Sequence, residues 1–313
     1  MMTKFPLTVC HSADKIRLTR GGIVMQYEGQ ICRAPMERAS FMLPVAVGCS
    51  YNACKFCTLF RHLQWRELPL EQIEMELQRV KAAGGSPKKV FFGDGNAFGM
   101  ETTRLLHILR MLHTCFPEVE QINMDATVTN IAQKNDEELT ELHKMGVKCL
   151  YLGIESSLAD ILAFMNKDHT LTQAYEQIER IHKLGYRYAA HIMTGVAGKG
   201  RGAENALALA AFLNRTRPES VTNFSLFLHR RAPLWKHIEE KQFLPATEVE
   251  NLREERILLE KLDVAGLKYD GFHDAIAFRV RGNLPNDRER MLQQLDDAIE
   301  RWKDQPLCYA YVD

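Results

Sequence analysis

The sequence predicts an α/β fold: a partial (βα)6 barrel of parallel strands with an appended helical C-terminal segment. Three observations predict it. Short apolar and β-branched runs recur roughly every 30–40 residues. Segments with helical apolar spacing fill the intervals, so right-handed crossovers would align the strands in parallel. Several of those segments also stop at glycine or before proline, as helix ends do.

Taken in order, the first residues are broken by Gly21-Gly22 and Pro35 and read as an irregular extension over 1–38. Strands are predicted at Leu43–Val47, Lys89–Gly93, Gln121–Asp125, Cys149–Ile154, Tyr188–Met193 and Val221–Phe227. Pro69–Ala83 places Leu70, Ile73, Leu77 and Val80 at near-helical spacing and stops at Gly84-Gly85. Glu101–Cys115 and Asp136–Met145 follow, then Leu171–Leu184 ending at Gly185 and Gly202–Thr216 ending before Pro218. Six units fall short of a closed eight-stranded barrel, which needs typically about 250 residues, so a partial barrel or an open doubly wound sheet fits better. After Leu234 the pattern changes, with charged amphipathic helices at Thr247–Ala265 and Asp287–Lys303 flanking a less regular stretch, Lys268–Pro285. The expected organisation is a barrel core over 39–235 and a helical lid over 236–313.

The composition, 46% hydrophobic and 26% charged over 313 residues, excludes disorder and collagen-like order. Lys+Arg 40 balances Asp+Glu 40, so no global positive field draws in nucleic acid. No apolar run approaches the roughly 20 residues of a membrane helix, and Met1-Met2-Thr3-Lys4 lacks a signal peptide's apolar core. A soluble, cytoplasmic protein is expected. The thirteen methionines read as core filling, since Met100, Met111, Met145 and Met193 fall within apolar patterns.

Eight cysteines are too sparse for a disulfide scaffold, and Cys10, Cys32, Cys115, Cys149 and Cys308 stand singly. Cys49, Cys54 and Cys57, by contrast, crowd into Gly48-Cys49-Ser50-Tyr51-Asn52-Ala53-Cys54-Lys55-Phe56-Cys57, directly after the first strand. In a βα fold that loop opens over the barrel mouth. Three thiolates there can hold three irons of a 4Fe-4S cluster and leave the fourth open to a small molecule. The competing reading is structural zinc with His62 as fourth ligand, which satisfies the tetrahedral count but lacks the paired knuckles of zinc modules.

With its aromatic residue just before the third cysteine, the triad resembles the radical S-adenosylmethionine (SAM) superfamily, whose core is a six-unit partial βα barrel. The commonest spacing in that superfamily is Cys-x3-Cys-x2-Cys; here the first gap holds four residues. The run Glu28-Gly29 to Glu37, the cysteine loop, Phe91-Phe92-Gly93-Asp94-Gly95-Asn96 and Gly282-Asn283-Leu284-Pro285-Asn286-Asp287-Arg288-Glu289-Arg290 are similar to a little-characterised group of stand-alone members. That group has a GCSxNxCxFC-type loop and a core like those of the elongator, methylthiotransferase and NifB families.

The resemblance implies an oxygen-sensitive enzyme whose 4Fe-4S cluster reductively cleaves SAM. The 5′-deoxyadenosyl radical so formed would abstract hydrogen from an unidentified small-molecule substrate. It implies Cys49, Cys54 and Cys57 as cluster ligands and Phe56 against the cluster or the SAM adenine. Gly93, Asp94 and Gly95 would take the SAM amine, Glu155 and Ser156 the ribose hydroxyls or amine, and Gly195, Ser225 and Leu226 the adenine. An external one-electron donor such as flavodoxin or ferredoxin follows from the same resemblance.

Asp125, Thr127 and His191, at or near other strand ends, and His229-Arg230-Arg231 are candidate substrate contacts, although each also reads as an ordinary polar residue. Cys308 is a candidate hydrogen donor or radical relay reaching in from the tail. A tRNA-modifying radical SAM enzyme is the second reading, weakened by the neutral charge and the lack of a second cysteine cluster. A zinc-stabilised, non-catalytic binding protein is the third.

Overall fold

The computed structural model describes residues 32–305 and 308–312, so most of the predicted N-terminal extension, including Gly21-Gly22 and Glu28-Gly29, lies outside the described residues. Strand β1 (Phe41–Gly48) is buried along nearly its whole length, as befits a strand covered on both faces. A loop leads to β2 (Arg66–Glu67), antiparallel to β1, and to α1 (Leu70–Ala82), which buries Ile73 and Leu77. Strand β3 (Lys89–Gly95), α2 (Thr102–Cys115) and β4 (Gln121–Ala126) form the next repeat. Capping boxes, Thr127 with Asn130 and Asn135 with Glu138, open the short α3 (Val128–Ala132) and α4 (Asp136–Lys144).

Strand β5 (Val147–Glu155) continues through α5 (Ala159–Phe164) and α6 (Leu171–Lys183) to β6 (Arg187–Thr194), α7 (Gly202–Thr216) and β7 (Ser220–Ser225). Every strand and helix expected up to this point is present within a few residues. Beyond it lie β8 (Leu228–His229), α8 (Leu234–Glu239), α9 (Glu248–Lys261), β9 (Lys268–His273), β10 (Phe278–Asn283), α10 (Arg288–Trp302) and β11 (Tyr311–Val312).

The stretch Lys268–Pro285 corrects its reading as less regular, because β9 pairs parallel to β7 and β10 pairs antiparallel to β9. Polar residues hide these strands in the sequence. Asp270 is buried in a fork with Arg279, and His273 is buried between Glu248 and Glu255, so charges paired at long range replace the apolar run.

The nine-stranded sheet runs β10-β9-β7-β6-β5-β4-β3-β1-β2. Strands β1, β3, β4, β5, β6, β7 and β9 are mutually parallel and neighbour one another in chain order, without the reversal of a doubly wound sheet. Successive right-handed units then wind in one direction and put their helices on one side, as in a barrel. The antiparallel β2 and β10 end the sheet without pairing to each other, so the barrel is partial. Leu252, Leu258 and Leu259 of α9 join the same apolar core as Leu109 of α2 and Leu209 of α7.

Toward the strand beginnings the interior is closed by Glu37, which is fully buried. Its carboxylate accepts from Asn123 Nδ2 at 2.7 Å and Tyr151 OH at 2.6 Å and pairs with Lys89 Nζ at 3.0 Å. Among the described residues no helix is long and apolar enough to cross a membrane.

The ends of β1 and β3 meet most tightly at Gly95, whose φ is +127° and whose position leaves no room for a Cβ against the Gly48 carbonyl oxygen. Gly95→Ala is expected to lose at least about 2 kcal/mol of unfolding free energy in urea. Gly200→Ala, at φ +79° with nothing within 4 Å of the added carbon, should lose only about 1 kcal/mol.

Candidate active site

The three cysteines lie on the loop between β1 and β2, and the loop is held from three sides. Asn96, just past β3, accepts the Ser50 N–H at 2.8 Å and donates to Ser50 Oγ at 2.9 Å. Arg61 donates to the carbonyls of Cys54 at 2.6 Å and Cys57 at 2.8 Å. The segment after α5 is zippered to the loop: Lys55 N–H to the Met165 carbonyl at 2.9 Å, Asn166 Nδ2 to the Ala53 carbonyl at 3.0 Å, and Tyr51 OH to the Asn166 carbonyl at 2.7 Å. Asn52, at φ +47°, turns the chain so that its N–H points to Cys49 Sγ at 3.4 Å.

All three thiols are free of disulfides. Burial pushes Cys54 up to about 12, with the positive charge of Lys167 opposing it. Burial also raises Cys57, against an N–H from Leu59, and Cys49 adds to the rise. Such thiols stay protonated until a metal displaces the proton. The donor set fits an iron–sulfur cluster: three thiols on one pinned loop, electrostatically coupled to one another. It does not fit zinc with His62, which is exposed. Among the described residues no three His, Cys, Asp or Glu side chains gather closely enough for a single metal ion.

Asp94, between Gly93 and Gly95, is 2% exposed. Its Oδ1 accepts the Cys32 N–H at 2.9 Å, while Oδ2 has no partner among the described residues. Burial raises its pKa to about 6, and the Cys32 N–H opposes that rise. Glu155, at φ +61°, ends β5 and pairs with Lys167 Nζ at 3.3 Å. Phe56 packs against the apolar cluster that contains Leu226, Leu228, Met193 and Val196, so two of the expected adenine contacts are brought together.

Other predicted side chains are already engaged within the protein. Ser156 Oγ donates to Asn205 Oδ1 at 2.6 Å, and Ser225 Oγ donates to Glu248 Oε2 at 3.0 Å while bonding His273 Nδ1 at 2.7 Å. The Gly195 N–H donates to Glu254 Oε2 at 2.9 Å. Thr127 Oγ1 caps α3 by accepting the Asn130 N–H at 3.1 Å.

Within the barrel, burial and then the neighbouring Asp94 and Glu37 push Asp125 up to about 8. His191 falls to about 4 through burial and Lys167, and its Nε2 has no partner among the described residues. Its ring lies 5.6 Å from Tyr151 and 5.9 Å from Phe224. The guanidinium of Arg230 sits 5.3 Å from the Trp235 ring, and burial lowers His229; His229 ends β8, and Arg230 follows it on a turn beyond β7. The Cys308 carbonyl accepts the Glu248 N–H at 2.9 Å, and burial raises the Cys308 thiol.

Two features had gone unread in the sequence. Lys167 and Asp168 are nearly buried beside the cysteine loop, and their only local signal is the polar run Asn166-Lys167-Asp168-His169 between two helices. Glu248, Glu254 and Glu255 of α9 are buried around His273 and Asn205, although on an amphipathic helix they read as solvated. Burial opposes charge on His273, but Glu255 and Glu248 outweigh it and raise its pKa to about 10.

The radical SAM superfamily profile matches residues 43–212, from β1 into α7, and the chain belongs to that superfamily. It is therefore a radical SAM enzyme, and membership implies a 4Fe-4S cluster and SAM as cofactors. Among curated proteins it is similar to the heme chaperone HemW of Bacillus subtilis (strain 168), 23% identical over 154 residues that make up 48% of this chain and 40% of that protein. The chain thus spans less than half the length of that relative. Its fold is similar to that of methylornithine synthase (PylB), with a TM-score of 0.52, 13% identity, and 85% of this chain and 82% of that chain covered. Coproporphyrinogen III oxidase (HemN) from Escherichia coli, a radical SAM enzyme, gives a TM-score of 0.54 at 14% identity, covering 71% and 52%.

The shift at Asp125 has a testable sign. An aspartate titrates near about 3.9 when unfolded, whereas Asp125 in the fold titrates near about 8. The folded chain holds the extra proton between those values, so this group's contribution to stability falls as pH rises through that window. Urea midpoints of the protein without SAM, taken from pH 5 to 8.5, should show Asp125→Asn gaining on the parent chain steadily with pH.

Proposed function

We propose that Cys49, Cys54 and Cys57 hold a 4Fe-4S cluster and that the enzyme uses it with SAM to abstract hydrogen from a small molecule held inside the barrel. The observation that carries this reading is the pinned loop of three free thiols at the C-terminal end of the parallel strands, with Asp94 Oδ2 buried nearby and without a partner among the described residues. When bound, such a cluster supplies the electron that cleaves SAM to methionine and a 5′-deoxyadenosyl radical.

The chain's own groups bind and shield. Asp94 Oδ2 accepts the SAM ammonium, satisfying a polar atom that is otherwise costly to bury. Glu155 takes the ribose hydroxyls or the amine, since an ionised carboxylate is an acceptor only. Phe56 and Leu226 offer the adenine an apolar surface, and the backbone at Gly93, Gly95, Ser156 and Ser225 supplies polar contacts because the two serine hydroxyls are engaged, while Gly195, whose N–H and carbonyl are held by Glu254 and Gly198, shapes the turn beneath the adenine.

Asp125 and His191 face the substrate, with His229 and Arg230 at the mouth. The tail covers the site: Tyr311–Val312 pairs with Leu228–His229, and Tyr309 packs on the same apolar cluster as Phe56, whereas α9, β9 and β10 belong to the barrel wall and its core. That cover keeps water from the reactive species. Enzymes of the superfamily need an electron donor, and a flavodoxin or ferredoxin fits the need here.

Anaerobic reconstitution of the full chain with iron and sulfide is expected to give about four irons per chain and dithionite-dependent release of 5′-deoxyadenosine. Cys54→Ala should abolish that release. Stoichiometric zinc with neither cluster nor cleavage would overturn the reading.

A further inference from the structure

The zipper between the cysteine loop and the segment after α5 holds one cation beside that loop. Lys167 follows directly on Met165 and Asn166, which bond to Lys55, Ala53 and Tyr51. Its side chain is 6% exposed, and its Nζ lies 3.3 Å from Glu155 Oε1, 3.9 Å from Asp168 Oδ1 and 5.9 Å from the centre of the Phe56 ring. Asp168 is itself fixed by the Thr129 N–H and hydroxyl, each at 3.1 Å, and by His169 Nδ1 at 2.9 Å. Lys167 thus has little freedom to swing away.

We propose that Lys167 is a positioning residue that holds a fixed positive charge against the cysteine loop and so sets the reduction potential of the cluster bound there. The inference rests on the assignment of Cys49, Cys54 and Cys57 as its ligands. Reduction adds one electron to a group already carrying the charge of three thiolates, in surroundings of low dielectric. A neighbouring cation favours the reduced state, and its removal leaves Glu155 and Asp168 to oppose that state.

The test is an EPR-monitored redox titration of the reconstituted full chain without SAM, with iron content measured on every sample. Lys167→Met is expected to lower the reduced-to-oxidised ratio at a fixed potential about tenfold, equivalent to about 59 mV for a one-electron couple. Lys167→Arg should restore the parent ratio. Glu155→Gln, which removes the opposite charge, should raise it, and it carries the test together with Lys167→Arg if Lys167→Met loads iron poorly. A fully loaded Lys167→Met titrating with the parent chain overturns the inference, as does an unmoved Glu155→Gln. A parent chain that binds no cluster defeats the ligand assignment instead, so the two failures are distinguishable.

Discussion

The junction between the ends of β1 and β3 is the constraint on which the site depends. A thiol loop that is neither helix nor strand has no ladder of its own to hold it, so its position must come from the strand ends it leaves. Gly48 is β1's last paired residue and is registered with Gly95 after a shift in the pairing from Pro44. The missing side chain at Gly95 lets the two backbones close, and Asn96 then reaches Ser50, one residue from the first cysteine. The same close approach sets Asp94 on the neighbouring strand end, so the acid and the thiols share one mounting. A doubly wound sheet would put a topological reversal somewhere among these strands; the unreversed order keeps every strand end on one rim.

Around that rim the polar groups divide into two populations. On the side of β6, β7 and β9, Glu248, Glu254, Glu255, Asn205, Asn223 and His273 bond to one another and to Ser225, Gly195 and Tyr269. A buried network satisfied to that degree rigidifies what it touches, and it fixes three strand ends against α9. On the side of β3, β4 and β6 stand Asp94 Oδ2 and His191 Nε2, without partners among the described residues, and Asp125, whose proton affinity burial has raised. Unsatisfied groups of this kind are expensive in a finished core and inexpensive where a ligand completes them. The first side is not wholly satisfied, since Asn251 Oδ1 of α9 and Asp274 Oδ2 after β9 also lack partners among the described residues, so the contrast between scaffold and binding surface is one of degree.

Local signals were legible in the sequence and distant pairings were not. The cysteine loop declares itself because its three thiols lie within ten residues, and β1 and β3 to β7 declare themselves because their apolar runs need no partner to be seen, unlike the polar pair Arg66–Glu67 of β2. Strand β9 was missed because Asp270 and His273 break its pattern, and what makes them tolerable there is Arg279 on one strand and Glu248 and Glu255 on a helix. Lys167 was missed for the same reason, since its electrostatic partner Cys54 lies more than a hundred residues away. Ser156 and Ser225 show the converse: their positions at strand ends were legible, but the engagement of their hydroxyls with Asn205, Glu248 and His273 was not.

The two ends of the barrel complete the argument about where chemistry can occur. At the strand beginnings Glu37 binds Lys89, Asn123 and Tyr151 across three strands, so its carboxylate is already engaged within the protein. At the strand ends the apolar cluster of Met193, Val196, Leu226 and Leu228 adjoins Phe56, and the tail residue Tyr309 lies over it. A reactive organic radical needs a dry surface beside it and a fixed polar anchor to aim its partner. Only the C-terminal rim of this barrel supplies both, and it does so because the loop that carries the thiols is anchored on the strand that carries Asp94.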